Sequence, residues 1–167
     1  MYDLTVLQFS KMLKNLDAIL AKTIPFAEAK KIEVDVLLNS RLAPDQFTLL
    51  RQVQIACDSA KLCVSKVTGK DAPVHDDKEA TLAQLRTRIA ETVAFMGTVT
   101  EKDFAGASER KVTTPRWEGK YLLGHEYVLH HSIPNVYFHI TVAYEILRHN
   151  GVDVGKKDYL GTMPFRT

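Results

Sequence analysis

The sequence has few of the features that mark secreted, membrane-spanning or fibrous proteins. Its 167 residues include 2 cysteines, 6 prolines and 8 glycines. No run approaches the roughly 18 uninterrupted apolar residues that a membrane span requires. The N-terminus lacks a basic segment followed by an apolar stretch, so no secretory signal is expected. These absences exclude disulfide-rich, collagen-like and membrane-spanning chains, and we expect a cytoplasmic protein with no membrane partner.

The two cysteines, Cys57 and Cys63, are unsuited to an internal disulfide bond if they share a helix. A separation of six residues corresponds to a rotation of about 240° around a helix axis, so the two side chains point in different directions. Neither cysteine has a basic neighbour in sequence except Lys61. A nucleophilic thiol is therefore not expected.

Charge of one sign is also lacking. The chain has 22 Lys and Arg against 20 Asp and Glu, which gives a net charge of +2. A balance this close to neutral provides no basic surface for contacts along a phosphate backbone, so we expect no nucleic-acid partner.

What the chain does contain is apolar residues in a helical pattern. Hydrophobic residues make up 46% of the sequence, and within four segments they recur at spacings of three and four, which is typical of amphipathic helices. The segments cover residues 4–20, 45–69, 82–97 and 121–150.

Turn and cap residues predict where these helices begin and end. Pro25 should end or redirect the first helix, and Pro44 should begin the second. Asp77 or a neighbour should cap the third. Pro134 interrupts the fourth and either kinks it or begins a new helix. Residues 110–115 have weak extended character, which predicts a short strand or hairpin before the last helix.

Four helices with one apolar face each cannot bury those faces separately. We therefore predict an all-α protein, a single domain over residues 1–167 that forms a four-helix bundle. The long connections at residues 25–45 and 98–121 favour one or two crossovers over a simple up-and-down arrangement.

Polar residues interrupt the apolar faces of two of these helices. In the second helix Gln54, Asp58 and Lys61 are spaced four and three apart, so they share one face. In the last helix His131, Asn135 and His139 are spaced four and four, and Tyr144 follows.

Two interpretations of these polar residues stay open. The first is a site in the bundle core, where facing helices hold small ligands or metals. The ligand pocket would then comprise Gln54, Asp58, Lys61, Asn135 and Tyr144. A divalent metal such as zinc or nickel would be held by His139, Asp58 and His131. The second interpretation is a hydrogen-bonded network without a cofactor, because buried polar groups must find partners in any case.

Three stretches of sequence resemble the DinB/YfiT-like helical superfamily and, more closely, an uncharacterised bacterial family within it. They are Arg51-Gln-Val-Gln-Ile-Ala-Cys-Asp-Ser-Ala-Lys61 within residues 47–69, residues 135–151 beginning Asn135-Val-Tyr-Phe-His139, and Lys156-Lys-Asp-Tyr-Leu-Gly161. The resemblance implies a four-helix bundle and a homodimer. It also implies a divalent metal bound by one histidine of the second helix and a His-x-x-x-His pair of the last.

The chain departs from that ligand pattern at two of three positions. His139 matches the second histidine of the pair, but Asn135 stands in place of the first. The ligand position of the second helix falls near Gln54 or Asp58, and that helix contains no histidine.

The sequence therefore favours a small-molecule-binding protein with a polar core pocket and a degenerate metal site. The alternative is a divalent-metal-dependent enzyme, a hydrolase or thiol transferase, that uses Asp58 and His139. A protein-interaction module is a third interpretation.

Overall fold

In this computed structural model, which describes residues 1–166, four long helices bury their apolar faces against one another. The helices in chain order are α1 (Gln8–Ala21), α2 (Thr23–Lys30), α3 (Leu49–Thr68), α4 (Leu82–Gly97), α5 (Gly124–Glu126), α6 (Ile133–His149) and α7 (Lys156–Leu160). A π-helical segment, Asp3–Leu7, leads into α1, and another, Tyr127–Ser132, leads into α6. The predicted four-helix bundle is confirmed.

Two pairs of long helices are joined by long connections, α1 with α3 and α4 with α6, and the two helices of each pair lie diagonally across the bundle from each other. α1 packs against α4 and α6, and α3 packs against the same two helices. The chain therefore crosses the end of the bundle between α1 and α3, and again between α4 and α6. These are the crossovers that the long connections predict.

The core consists of the residues that the helical spacing indicates. Phe9, Leu13, Leu16 and Leu20 of α1 are fully buried. Burial of a leucine or phenylalanine side chain contributes about 1.5–3 kcal/mol, so these positions account for much of the stability of the bundle.

Two helix boundaries differ from the prediction. α3 begins at Leu49 rather than near Pro44, because residues 40–48 form an ordered loop that contacts its first turn. The cap of α4 is Thr81, whose hydroxyl accepts a hydrogen bond from the backbone of Gln84 in a capping box. Asp77 is instead held in a left-handed backbone conformation (φ 58°), where it binds two arginines.

The connection before the last helix contains the predicted hairpin. Strand β1 (Lys111–Val112) pairs antiparallel with β2 (Leu122–Leu123). Of the two possibilities at Pro134, a kink or the start of a new helix, the structure has the second, because α6 begins at Ile133. Pro134 occupies the first turn of α6, directly after the π-helical segment Tyr127–Ser132, where its missing N–H costs little.

After α7 the chain turns sharply and runs along α1. Gly161 makes the turn with φ 62° and ψ −157°, a conformation that only glycine adopts readily. A Cβ atom there would collide with the side-chain amide of Asn15. The amide of Asn15 donates to the carbonyl of Tyr159 at 2.9 Å, and Lys22 pairs with Asp158 at 2.7 Å. These contacts hold α7 against α1 and so position the residues that follow it.

Over residues 1–166, no helix combines the length and the apolar composition needed to cross a membrane.

Candidate functional site

The predicted polar residues do not form one pocket, because α3 separates them. Gln54 and Lys61 lie about 180–200° around the axis of α3 from Gln52, given about 100° per residue. One face of α3 meets α4 and the loop at residues 70–81, and the opposite face meets α6. The residues from the second and last helices therefore belong to different interfaces.

The first interface is organised by Arg88 of α4, whose side chain is only 1% exposed. Its guanidinium contacts three carboxylates: Asp58 at 2.7 Å, Asp77 at 2.7 Å and Glu79 at 2.9 Å. Gln54 donates to the carboxylate of Glu79 at 2.8 Å. One buried cation thus joins α3, α4 and the loop between them.

Lys61 extends this network to a histidine. Its ammonium lies 3.0 Å from Oδ1 of Asp58 and 2.7 Å from Nδ1 of His75. Since a lysine ammonium can only donate, Nδ1 of His75 must accept, and the ring proton must be on Nε2. That Nε2 lies 3.1 Å from a carboxylate oxygen of Glu91, to which it donates.

Mutual pairing stabilises the charged forms of this network. Burial alone lowers the pKa of the Arg88 guanidinium, but hydrogen bonds to Glu79 and the charge of Asp58 outweigh burial and raise it. Burial alone raises the pKa of Glu79, but its hydrogen bond to Arg88 lowers that pKa overall. Three of the residues that the sequence assigned to a ligand pocket, Gln54, Asp58 and Lys61, therefore already have hydrogen-bonding or charged partners within this network. Here the geometry matches the interpretation as a hydrogen-bonded network.

The second interface contains His139 of α6, whose side chain is 7% exposed. Its Nδ1 lies 2.6 Å from Oε1 of Gln52, and the amide nitrogen of Gln52 donates to the carbonyl of Phe47 at 3.2 Å. Because that carbonyl can only accept, the oxygen of Gln52 faces His139, and Nδ1 of His139 carries the proton. Burial, together with the charge of Arg51, lowers the pKa of His139 to about 4.

The remaining predicted residues lie in three further places. Asn135 donates to the hydroxyl of Ser59 on α3 at 2.7 Å. His131 stacks on Tyr127, with ring centroids 5.1 Å apart. Tyr144 packs edge-on against Tyr159 of α7, on the outside of the bundle.

These positions do not fit a divalent metal. Within residues 1–166 no three His, Cys, Asp or Glu side chains are grouped closely enough to hold an ion. Asp58 is on the α4 side of α3 and is paired with Arg88 and Lys61, whereas His139 is on the α6 side and is bonded to Gln52. The proposed set of His139, Asp58 and His131 is therefore divided between separate environments.

The two thiols are buried and protonated. Burial raises the pKa of both Cys57 and Cys63 to about 12. A thiol that does not ionise near neutral pH is a poor nucleophile, as the sequence indicates.

A cavity that sequence reasoning missed lies elsewhere in the structure. It has a volume of about 640 Å³ and lies between α1, α6 and the segment that follows α7. We call it the tail cavity. Its lining includes Gln8, Lys11, Tyr137, Tyr159, Thr162 and Met163. The amide of Gln8 donates to the phenol oxygen of Tyr137 at 2.8 Å, across 129 residues of sequence.

Comparisons with known proteins agree with this fold. A family model described as a domain of unknown function, DUF1993, matches residues 1–160. The chain is similar to the crystal structure of a DinB family member from Shewanella denitrificans, with 62% sequence identity and a TM-score of 0.96. That alignment covers 99% of this chain and 94% of the other. A search of curated proteins found no match.

Proposed function

The chain belongs to the DUF1993 family and has a DinB-like bundle, and we propose that it is a small-molecule-binding protein whose ligand occupies the tail cavity. The observation that carries the proposal is the cavity itself. Its volume of about 640 Å³ falls within the range of roughly 300–1,000 Å³ that is typical of ligand pockets. Apolar surface makes up most of its lining, and Gln8, Lys11, Tyr137 and Thr162 add polar groups.

The architecture of the tail cavity supports this role. One wall consists of helices α1 and α6, and the other consists of residues 160–164, which the turn at Gly161 directs along α1. A ligand in this cavity would therefore lie between the helices and residues 160–164, outside the bundle core. A smaller cavity of about 400 Å³ lies beside the network around Arg88, where His75 and Glu79 contribute to its lining.

We expect the tail cavity to bind N-phenyl-1-naphthylamine, a neutral aromatic dye whose fluorescence rises in apolar surroundings. The Met163→Asp variant should weaken this binding about tenfold or more, because a charged group would replace part of the apolar wall. Fluorescence titration of the full chain measures both affinities.

A matched control is the Val74→Asp variant. Val74 is 89% exposed and lies in the loop before α4, outside the tail cavity. This substitution should leave the affinity unchanged within experimental error. No fluorescence increase in the parent protein, or an equal loss in both variants, would contradict the proposal.

The alternative of a divalent-metal enzyme makes a different prediction. Because Asp58 and His139 lie on opposite sides of α3, we expect only substoichiometric zinc or nickel in protein purified without an affinity tag or chelator. Elemental analysis of the parent and of the double variant Asp58→Ala, His139→Ala should give the same low content. Stoichiometric metal in the parent that is lost in the variant would establish the alternative. The homodimer that the resemblance implies stays a prediction.

A further inference from the structure

We propose that the ligand of the tail cavity is an amphipathic anion, with an apolar body and one negatively charged group that binds Lys11. This inference rests on the proposed function, because it assigns a chemical class to the ligand of the same site.

The charge of the lining favours an anion. Lys11 is the one charged residue that lines the tail cavity within residues 1–166, and no carboxylate lines it. The ammonium of Lys11 lies 3.8 Å from the sulfur of Met163, which is a weak acceptor. None of the ion pairs among the described residues includes Lys11. A negative group on a ligand would supply the partner that this ammonium lacks, whereas a cationic ligand would meet a like charge.

The hydrogen-bonding groups of the lining add a second donor. Because the amide of Gln8 donates to the phenol oxygen of Tyr137, the hydroxyl proton of Tyr137 stays available for another acceptor. Gln8 and Lys11 are three residues apart on α1, so they face the cavity from the same side of the helix. Lys11 and Tyr137 both line the cavity and so offer it an ammonium and a hydroxyl proton, a combination suited to a carboxylate or sulfonate.

The rest of the lining is suited to an apolar ligand body. Met12, Leu160, Met163 and Pro164 contribute apolar surface. Methionine side chains adapt to ligands of different shape, and their sulfur atoms pack favourably against aromatic rings. An inorganic anion would leave this surface uncovered, so the lining favours an organic anion.

Two dyes with the same aromatic body test the assignment. 8-Anilino-1-naphthalenesulfonate carries a sulfonate group, and N-phenyl-1-naphthylamine does not. The full chain should bind the sulfonate dye more tightly. The Lys11→Met variant, which keeps an unbranched apolar side chain, should lower the affinity for the sulfonate dye about tenfold and change that for the neutral dye by less than about twofold.

The control is Lys14→Met, which removes the same charge three residues further along α1. Lys14 lines a different cavity, beside Asp17 and Arg86. The Lys14→Met variant should change the affinity for either dye by less than about twofold, because an exposed charge outside the site acts only weakly through solvent.

Each outcome separates the two proposals. If both dyes bind equally well and Lys11→Met changes neither affinity, the anionic class is wrong and the binding function stands. If Lys14→Met weakens the sulfonate dye as much as Lys11→Met does, the effect is one of net charge and the assignment is wrong. If neither dye binds the parent protein, the proposed function fails, and the assignment of a ligand class fails with it.

Discussion

Replacing Arg88 with methionine is expected to lower the free energy of unfolding by about 3–5 kcal/mol, the usual effect of removing one partner from a buried ion pair. The substitution would remove the guanidinium that Asp58, Asp77 and Glu79 share, although Asp58 would keep its contact with Lys61 and Asp77 its contact with Arg51. Each carboxylate would then be partly desolvated beside like charges. Chemical denaturation followed by circular dichroism measures the change.

The matched control is Arg86→Met, two residues earlier on α4. Arg86 also binds a carboxylate through two nitrogen atoms, at 2.7 and 3.1 Å from Asp17, but its side chain is 37% exposed. We expect a loss of about 1 kcal/mol or less, because solvent screens exposed ion pairs. Equal losses in the two variants would show that burial of Arg88 does not determine its contribution.

The difference in free energy of unfolding between the parent and Arg88→Met should also depend on pH, which provides a second check. In the folded protein burial raises the pKa of both Asp77 and Glu79, but hydrogen bonds outweigh it and lower both values: those from Arg51 and then Arg88 for Asp77, and that from Arg88 for Glu79. A carboxyl group with a lowered pKa stabilises the fold above its unfolded pKa of about 4, and that contribution is lost as the pH falls further. The difference between the parent and Arg88→Met should therefore shrink below about pH 4.

The bundle could be predicted from the sequence because it depends on local periodicity. In each long helix the apolar residues recur three and four positions apart, and the residues on that face are the ones that the structure buries. The boundaries that differ depend on contacts outside each helix. Asp77 does not cap α4 because it binds Arg51 and Arg88, and Thr81 takes its place.

The polar network was only partly predictable. The shared face of Gln54, Asp58 and Lys61 follows from their spacing, but their partners His75, Asp77 and Glu79 belong to a loop without periodicity. One signal was available. Arg88 follows Leu85 by three residues and precedes Thr92 by four, so it occupies an inward position of the α4 pattern. A charged residue at such a position indicates a buried ion pair.

Two other features could not be predicted from spacing within one helix. His139 meets Gln52 rather than Gln54 because the rotation of α3 against α6 decides which glutamine faces it. The tail cavity joins residues at both ends of the chain, such as Lys11 and Met163, 152 positions apart. Only the turn at Gly161 and the docking of α7 bring these segments together.

The stability of the protein is expected to fall as the pH is lowered from 7 to 4, with His139 responsible for about 3 kcal/mol of the loss. Burial, followed by the charge of Arg51, lowers the pKa of His139 from 6.5 to about 4. The unfolded chain therefore binds a proton that the folded chain rejects. The contribution is complete above the unfolded pKa of about 6.5 and is lost progressively as the pH falls toward the folded value.

The His139→Gln variant tests this prediction because glutamine does not titrate. Its free energy of unfolding should change less between pH 7 and pH 4 than that of the parent, by about 2–3 kcal/mol. His130→Gln, at an exposed position of the last helix, is the control and should keep the pH dependence of the parent. Parallel curves for the parent and His139→Gln would contradict the prediction.

The hydrogen bond to Gln52 also determines which ring nitrogen of neutral His139 carries the proton. Because Gln52 presents its oxygen, the neutral ring must carry its proton on Nδ1, which leaves a lone pair on Nε2. Nitrogen-15 chemical shifts at pH 7 distinguish this tautomer from the one protonated at Nε2. The Gln52→Ala variant, which removes the acceptor, should shift the equilibrium toward protonation at Nε2. A parent protein already protonated at Nε2 would show that Gln52 does not hold the ring in this orientation.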